Sequence, residues 1–362
     1  MRNLTTNDAT QLAILSHLQN TEEMIADAIT AETGRQAHAE ITAMSDLGLA
    51  GNSTRMRGGF FTGMHAQWQS SVPFVPIDAT VNSCGVYIFT LKKAPDRNTF
   101  TRLISEAKGK ITSLGYSWNF ERGNHFIAVG HLENGQPCAV MHASADEYKK
   151  SKSDLALYPT ESSWYYNDIR VYHSLKYVNR YLRYIVGKPA ERFIEIALSL
   201  EKINKQRMSD VARLIFNELF DSECVFASHY GMPTDTSVAI GCSWRRENFA
   251  LLTAPGKDIY IAAPVETSGN SSKSSQPALY PHGFGIEIEQ PALSYSRDGL
   301  NINGTSIITD ESVTQLETKR IRMRYALQSE VEAFAEQILE KRGCKITHRI
   351  KQTMGLNSDG LT

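Results

Sequence analysis

The chain has 362 residues, 41% of them hydrophobic and 21% charged, which places it among ordinary globular proteins with ample material for a large core. Its 38 basic and 39 acidic residues leave a net charge of −1, which excludes indiscriminate coating of nucleic acid but not a local basic patch. Five widely spaced cysteines (Cys84, Cys138, Cys224, Cys242, Cys344) make neither a disulfide framework nor a CxxC knuckle, and there is no signal-peptide core or long apolar run. A soluble, cytoplasmic protein with reduced thiols and no membrane partner is expected.

The first seventy residues are expected to be mainly helical. Asn20 caps a helix with Glu23 closing the capping box, and Met24, Ile25, Ala28 and Ile29 share an apolar face. Gly48 to Gly63, rich in glycine, reads as a loop. Val86 to Leu91 is a strand, and Phe100, Leu103, Ile104 and Ala107 follow at helical spacing, so a strand leads into a crossover helix. Phe126 to Gly130 and Pro137 to Met141 flank Glu133-Asn134-Gly135. Asn-Gly tolerates the positive φ angles of a tight hairpin, so these runs should pair antiparallel and bring His125 beside His142.

A helical middle is expected next, with one amphipathic segment at Leu175, Val178, Leu182 and Ile185. Another lies at Phe193, Ile196, Ala197, Leu200 and Ile203. Strands return at Val238 to Cys242, Phe249 to Thr253 and Ile259 to Ala263, followed by a polar loop from Thr267 to Gln276. The last helix begins at Ser329, capped with Glu332, runs through Val331, Phe334, Ile338 and Leu339, and stops at Gly343. With no internal repeat and no linker, one mixed α/β domain over 1–362 is expected, with central β-sheets surrounded by helices. Its parts are a mainly helical segment over 1–70, a core carrying the site over 72–290, and a C-terminal strand and helix over 291–362.

Cys84, His125, His142, His229 and His282 all stand at the ends of apolar strand-like runs. A thiolate and several imidazoles suit a divalent transition metal, and the set has more imidazoles than one closed site needs. A lone histidine has roughly a one-in-ten chance of serving as ligand or catalyst. His17, His38, His131, His173 and His348 are therefore expected to be structural or superficial, and His65, near the glycine-rich loop, is intermediate. Glycines beside His125 and His282 leave room for a bulky group such as a nucleotide to approach the ring. A neutral imidazole attacks phosphorus well, so a nucleotidylated histidine is reasonable chemistry.

These blocks resemble RtcB-type RNA-splicing ligases. Cys84-Gly85-Val86 resembles the segment with that family's metal-binding cysteine, and Gly123-Asn124-His125-Phe126 matches its Gly-Asn-His-Phe motif. His142-Ala143-Ser144, His229-Tyr230 and His282-Gly283-Phe284-Gly285 fall, in the same order, where the family has His-Ser-Gly-Ser-Arg, His-Asn-Tyr and His-Gly-Ala-Gly-Arg. The resemblance spans roughly residues 72 to 290. It implies a ligase that joins RNA 2′,3′-cyclic phosphate or 3′-phosphate ends, as in tRNA halves or damaged RNA, to 5′-hydroxyl ends. GTP and Mn²⁺ (or Zn²⁺) would be used, and an activating protein is a further partner it implies. By position, Cys84 would bridge two ions, His142 and His229 would complete one site, and His125 would serve the other. His282 would be the guanylylated nucleophile, with Asn124, Gly283 and Gly285 binding the nucleotide.

Two departures matter. Val81 stands where the family has an aspartate, with Asp78 and Asn82 as nearby oxygen donors, and Ile286 stands where it has a phosphate-gripping arginine. Arg245, Arg246, Lys257 and Lys273 are the candidate replacements for that charge. The competing readings are a weakened paralog that binds RNA ends or nucleotide without ligating, and a metal-dependent phosphohydrolase using the same ligands.

Overall fold

Every residue from Gly85 to Leu91 is buried, and successive side chains enter different cores. Val86 and Ile88 pack in a cluster with Phe334, Ala335 and Ile338, whereas Tyr87, Phe89 and Leu91 pack in one with Phe100, Ile104 and Phe216. A strand covered on both faces needs apolar residues at every position, which is why this run is continuous rather than alternating.

The computed structural model describes residues 1–49, 53–145, 147, 155–176, 180–245, 247–253, 256–265, 278–288, 293–296, 299–302, 305–306, 321–323 and 327–362. It is a mixed α/β protein. The largest sheet runs β10 (Phe220–Ser228), β5 (Gly85–Leu91), β7 (Pro137–Ala143), β6 (Phe126–Leu132), β22 (Cys344–Asn357), β15 (Ile259–Pro264) and β14 (Phe249–Leu251), with β23 (Gly360–Leu361) beside β22. A second sheet runs β1 (Arg2–Asn3), β2 (Ala39–Gly48), β3 (Thr62–Trp68), β12 (Ser237–Ile240) and β11 (Tyr230–Gly231). Smaller groupings are β4 (Phe74–Pro76) with β9 (Tyr181–Val186) and β8 (Arg170–His173), and β13 (Cys242–Ser243) with β16 (Tyr280–Pro281). β17 (Ile286–Ile288) pairs with β21 (Ile321–Met323), and β18 (Leu293–Ser296), β19 (Gly299–Ile302) and β20 (Thr305–Ser306) form the last.

The helices are α1 (Ala9–Thr33), α2 (Ser53–Gly58), α3 (Arg97–Lys110), α4 (Lys188–Phe216) and α5 (Gln328–Glu340). β5 and β6 both pair antiparallel with β7, so they run parallel across it and α3 makes the expected crossover. The Asn134-Gly135 hairpin forms as anticipated, with Gly135 at φ 84°. Helix α4 changes core along its length. Phe193, Ile196, Ala197 and Leu200 pack in the cluster that contains Ile25 of α1, and Met208, Val211 and Ile215 pack under β5. Between those stretches lie Asn204 and Arg207, both fully buried.

Several expectations are corrected. The first seventy residues are not mainly helical, because β2 and β3 lie among them and bury on the second sheet. Asn20 lies inside α1 rather than at its start; the cap is Asp8, whose side chain accepts the Gln11 N–H. The apolar face beyond Asn20 is real, but it belongs to a helix that begins about three turns earlier. The glycine-rich stretch contains α2. Leu182 and Ile185 belong to β9, not to a helix; Tyr181 to Val186 is rich in aromatic and β-branched residues, and Leu175 is 92% exposed. The last helix begins one residue early, with Glu330 accepting the Leu327 N–H in place of the expected Ser329–Glu332 pair. The loop at Thr267 to Gln276 lies outside the described residues. Among the described residues no helix is long and apolar enough to cross a membrane.

Candidate metal centre

Antiparallel register carries four donors to one end of the large sheet. Ser228 of β10 opposes Gly85 of β5, Gly85 opposes Ala143 of β7, and His142 opposes Phe126 of β6. His229, Cys84, His142 and His125 therefore stand in a row at the ends of consecutive strands, which are spaced about 4.8 Å apart. Ser83, at φ 57°, turns the chain into β5, and Asn82 Oδ1 accepts the Cys84 N–H at 3.0 Å.

The Cys84 thiol and the His142 and His229 rings place donor atoms within 4.8 Å of one another, all buried. His142 Nδ1 donates to the Asn124 carbonyl at 2.8 Å, and the His229 ring is hydrogen-bonded to the Ala227 main chain. With those bonds made, the neutral rings turn Nε2 lone pairs towards each other, 3.2 Å apart. Two lone pairs at that distance repel unless a cation lies between them. Tetrahedral nitrogen donors around one ion lie roughly 3.3 Å apart, so the donor set fits a zinc- or manganese-sized ion. Burial, and then the neighbouring His125, push the His142 pKa down to about 3. Burial, followed by His282 and His142, holds His229 well below the usual imidazole range. Both rings are kept neutral, the form that coordinates metal.

His125 stands beside this trio, its Nδ1 donating to the Asn119 carbonyl at 3.0 Å. Its Nε2 lies 3.7 Å from Cys84 Sγ and 3.4 Å from Ser144 Oγ. The oxygen donors suggested for this side are otherwise engaged. Asp78 binds Arg183 through Oδ1, Asn82 caps Cys84, and Val81 is buried in the apolar core.

His282 follows β16 and stacks on His229, with ring centroids 4.4 Å apart. Its Nδ1 lies 2.6 Å from Asp46 Oδ2 and 2.8 Å from the Gly241 carbonyl. Both are acceptors, so Nδ1 carries a proton, and in the neutral ring the lone pair lies on Nε2. Asp46 is fully buried, and among the described residues its second oxygen has no hydrogen-bond partner. A carboxyl group in that setting is costly to bury, and the His282 ring nitrogen is a partner that offsets the cost. Gly241, at φ 73°, makes the joint possible; a Cβ there would sit 3.1 Å from the His282 ring and 2.9 Å from Gly63 N.

The rings open into a cavity of about 570 Å³ lined by Arg55, Asn124, His142, His282, Gly283 and Gly285, among others. Cys84, Asn124, His125, His142, His229, His282, Gly283 and Gly285 thus lie at or beside one site. Two further residues of the site were not anticipated. Asp46 lies in an apolar strand and carries no motif. Arg55 lies in the presumed loop, donates to Thr62 Oγ1 at 3.4 Å, and sits with its guanidinium carbon 5.0 Å from the Tyr230 ring centre. Arg245 instead pairs with Glu201, Lys257 lines a separate groove, and Arg246 and Lys273 lie outside the described residues. His65 is buried on β3 and His17 is bonded to the Met56 carbonyl, both away from the metal donors.

No protein-family model matches the chain, and comparison with curated proteins likewise finds no match.

Cys84→Ala should abolish stoichiometric Mn²⁺ or Zn²⁺ by elemental analysis, and metal should raise the melting temperature of the wild type but not of this variant. Unchanged metal content in the variant would rule out the centre. A second test is acid stability. The unfolded chain takes up histidine protons near 6.5, whereas folded His142 takes one only near 3. Between those values the unfolded state holds more protons, so stability should fall as pH drops from about 6.5 towards 3. In chelator-treated protein, His142→Gln should flatten that fall by up to about one proton, read from urea midpoints at successive pH values.

Proposed function

We propose that the protein is an RNA ligase of the RtcB type, joining 2′,3′-cyclic phosphate or 3′-phosphate ends to 5′-hydroxyl ends in the cytoplasm, with GTP and Mn²⁺. The observation that carries this reading is the Asp46–His282 pair, in which His282 lines the cavity and stacks on the candidate metal donor His229. A purely structural or metal-storing protein has no use for an oriented imidazole with a free Nε2 in that place.

Asp46 fixes the tautomer in which Nε2 is nucleophilic, and it stabilises the positive charge that the ring gains during attack. Nε2 attacks the α-phosphorus of GTP; the N–P bond forms as the P–O bond to pyrophosphate breaks, and the ring holds GMP as a phosphoramidate. A bound divalent ion at Cys84, His142 and His229 would neutralise phosphate charge there. Arg55 adds a cation to the cavity wall, which supports phosphate binding despite Ile286. Gly283 and Gly285 keep the wall beside His282 free of side chains, and a Cβ on Gly283 would come within 3.1 Å of the Leu252 carbonyl.

Incubation with labelled GTP and Mn²⁺ should give an acid-labile, base-stable adduct of GMP mass. His282→Ala should lose it, and Asp46→Asn should slow its formation by on the order of 100-fold or more with metal binding retained. Wild-type protein that binds metal but never forms the adduct would overturn the ligase reading in favour of an RNA-end-binding protein.

The His125 side lacks the aspartate and has the Ser144 hydroxyl in its place, so a second ion there meets less negative charge. Anomalous diffraction at sub-saturating Mn²⁺ should show one strong peak between His142 and His229 and a weaker one, or none, beside His125. Two equal peaks would contradict this ranking.

A further inference from the structure

The metal donors are held by strand ends, and those strand ends are held by two turns of α4. Asn204 Nδ2 donates to the Ser83 carbonyl at 2.7 Å and to the Ala143 carbonyl at 3.3 Å. Ser83 precedes Cys84 and Ala143 follows His142, so one amide ties together the chain on either side of the thiol–imidazole pair. One turn earlier, the Leu200 carbonyl accepts the Ser83 hydroxyl at 3.0 Å.

Arg207 completes the contact. Its Nη2 donates to the Ser117 carbonyl at 2.7 Å and to Asn119 Oδ1 at 3.1 Å, and its Nε donates to Glu147 at 2.6 Å. Asn119 Nδ2 donates to the Ser144 carbonyl at 2.7 Å, while the Asn119 main-chain oxygen accepts the His125 Nδ1 proton. Leu200, Asn204 and Arg207 lie on one helical face, at spacings of four and three. They reach the segments bearing Cys84, His125 and His142.

We propose that Asn204 and Arg207 are positioning residues that set the affinity of the metal centre. The proposal rests on the metal-centre reading above, not on ligation. Packing alone does not explain the pair. The α4 residues on either side meet their cores with apolar side chains, and buried polar groups interrupt that face only at Asn204 and Arg207, beside the ligand-bearing chain. Burying Asn204 leaves its own Oδ1 without a partner among the described residues, a cost that an apolar side chain would avoid. The two carbonyl contacts offset that cost and lock the donors at coordination distance before an ion arrives. Residues that orient metal ligands from behind typically change affinity by about 10–100-fold when removed.

The test compares Asn204→Ala and Arg207→Lys with Val211→Ala, which thins the core on the same helix one turn further on and removes no hydrogen bond to the ligand segments. Melting temperatures are measured in chelator, Co²⁺ and Mn²⁺ affinities by calorimetry, and the Co²⁺–thiolate charge-transfer band by absorption. Asn204→Ala and Arg207→Lys should weaken Co²⁺ and Mn²⁺ by about tenfold or more and shift the band. Val211→Ala should lower the melting temperature and leave affinity and band unchanged. If Asn204→Ala does not fold, the milder Arg207→Lys decides. Affinity within twofold of wild type in a folded variant overturns the proposal, as does an equal loss in Val211→Ala. Wild type that binds Co²⁺ tightly yet forms no GMP adduct sinks the ligase reading alone, and wild type that binds no ion sinks both.

Discussion

Strand register is the constraint on which the site depends. Cys84, His125, His142 and His229 come from distant parts of the chain, and no loop of its own carries them together. They meet because β10, β5, β7 and β6 are antiparallel neighbours whose pairings align their ends. A slip of one residue in any of these strands would turn its donor to the opposite face, where Tyr87, Phe89 and Met141 pack. The apolar alternation that secures the two cores therefore also secures the ligand geometry.

Against that rigid frame, the polar groups of the site are few, and their arrangement is specific. His125 and His142 give their Nδ1 protons to main-chain carbonyls, and His282 is the exception in using a carboxylate. That difference sets His282 apart from the other two rings. A carbonyl fixes a ring as a passive donor, whereas Asp46 can also stabilise a cationic ring and so supports a ring that takes part in bond making. Stacking of His282 on His229 then puts the carboxylate-held ring directly beside a candidate ligand ring.

Much of this was legible in the residues because it rests on local signals. Asn134-Gly135 announced the hairpin, and the hairpin placed His125 near His142 without any appeal to a family. The glycine neighbours of His282 pointed to an accessible ring. Other parts were not legible, for physical reasons. Asp46 sits in an ordinary buried strand, and its partner lies far away in sequence, so no spacing rule reaches it. Leu182 and Ile185 satisfied a helical spacing, but Tyr181 to Val186 also satisfies a strand, and pairing with β4 and β8 settled the matter. Asn204 and Arg207 look like the solvated side of an amphipathic helix, and only the passage of α4 between two cores buries them.

Because the donors are spread from Cys84 to His229, the centre exists only after the long-range pairings have formed. Local contacts within any one strand or hairpin supply at most two ligands, too few to capture an ion firmly. An ion bound there therefore could not nucleate this fold as it does in small zinc modules, where neighbouring ligands gather the chain around the ion. It would act late, on a sheet already assembled at the entropic cost of its non-local pairings. Such an ion would select correctly registered molecules from any that have paired their strands wrongly, a form of proofreading built into the sheet.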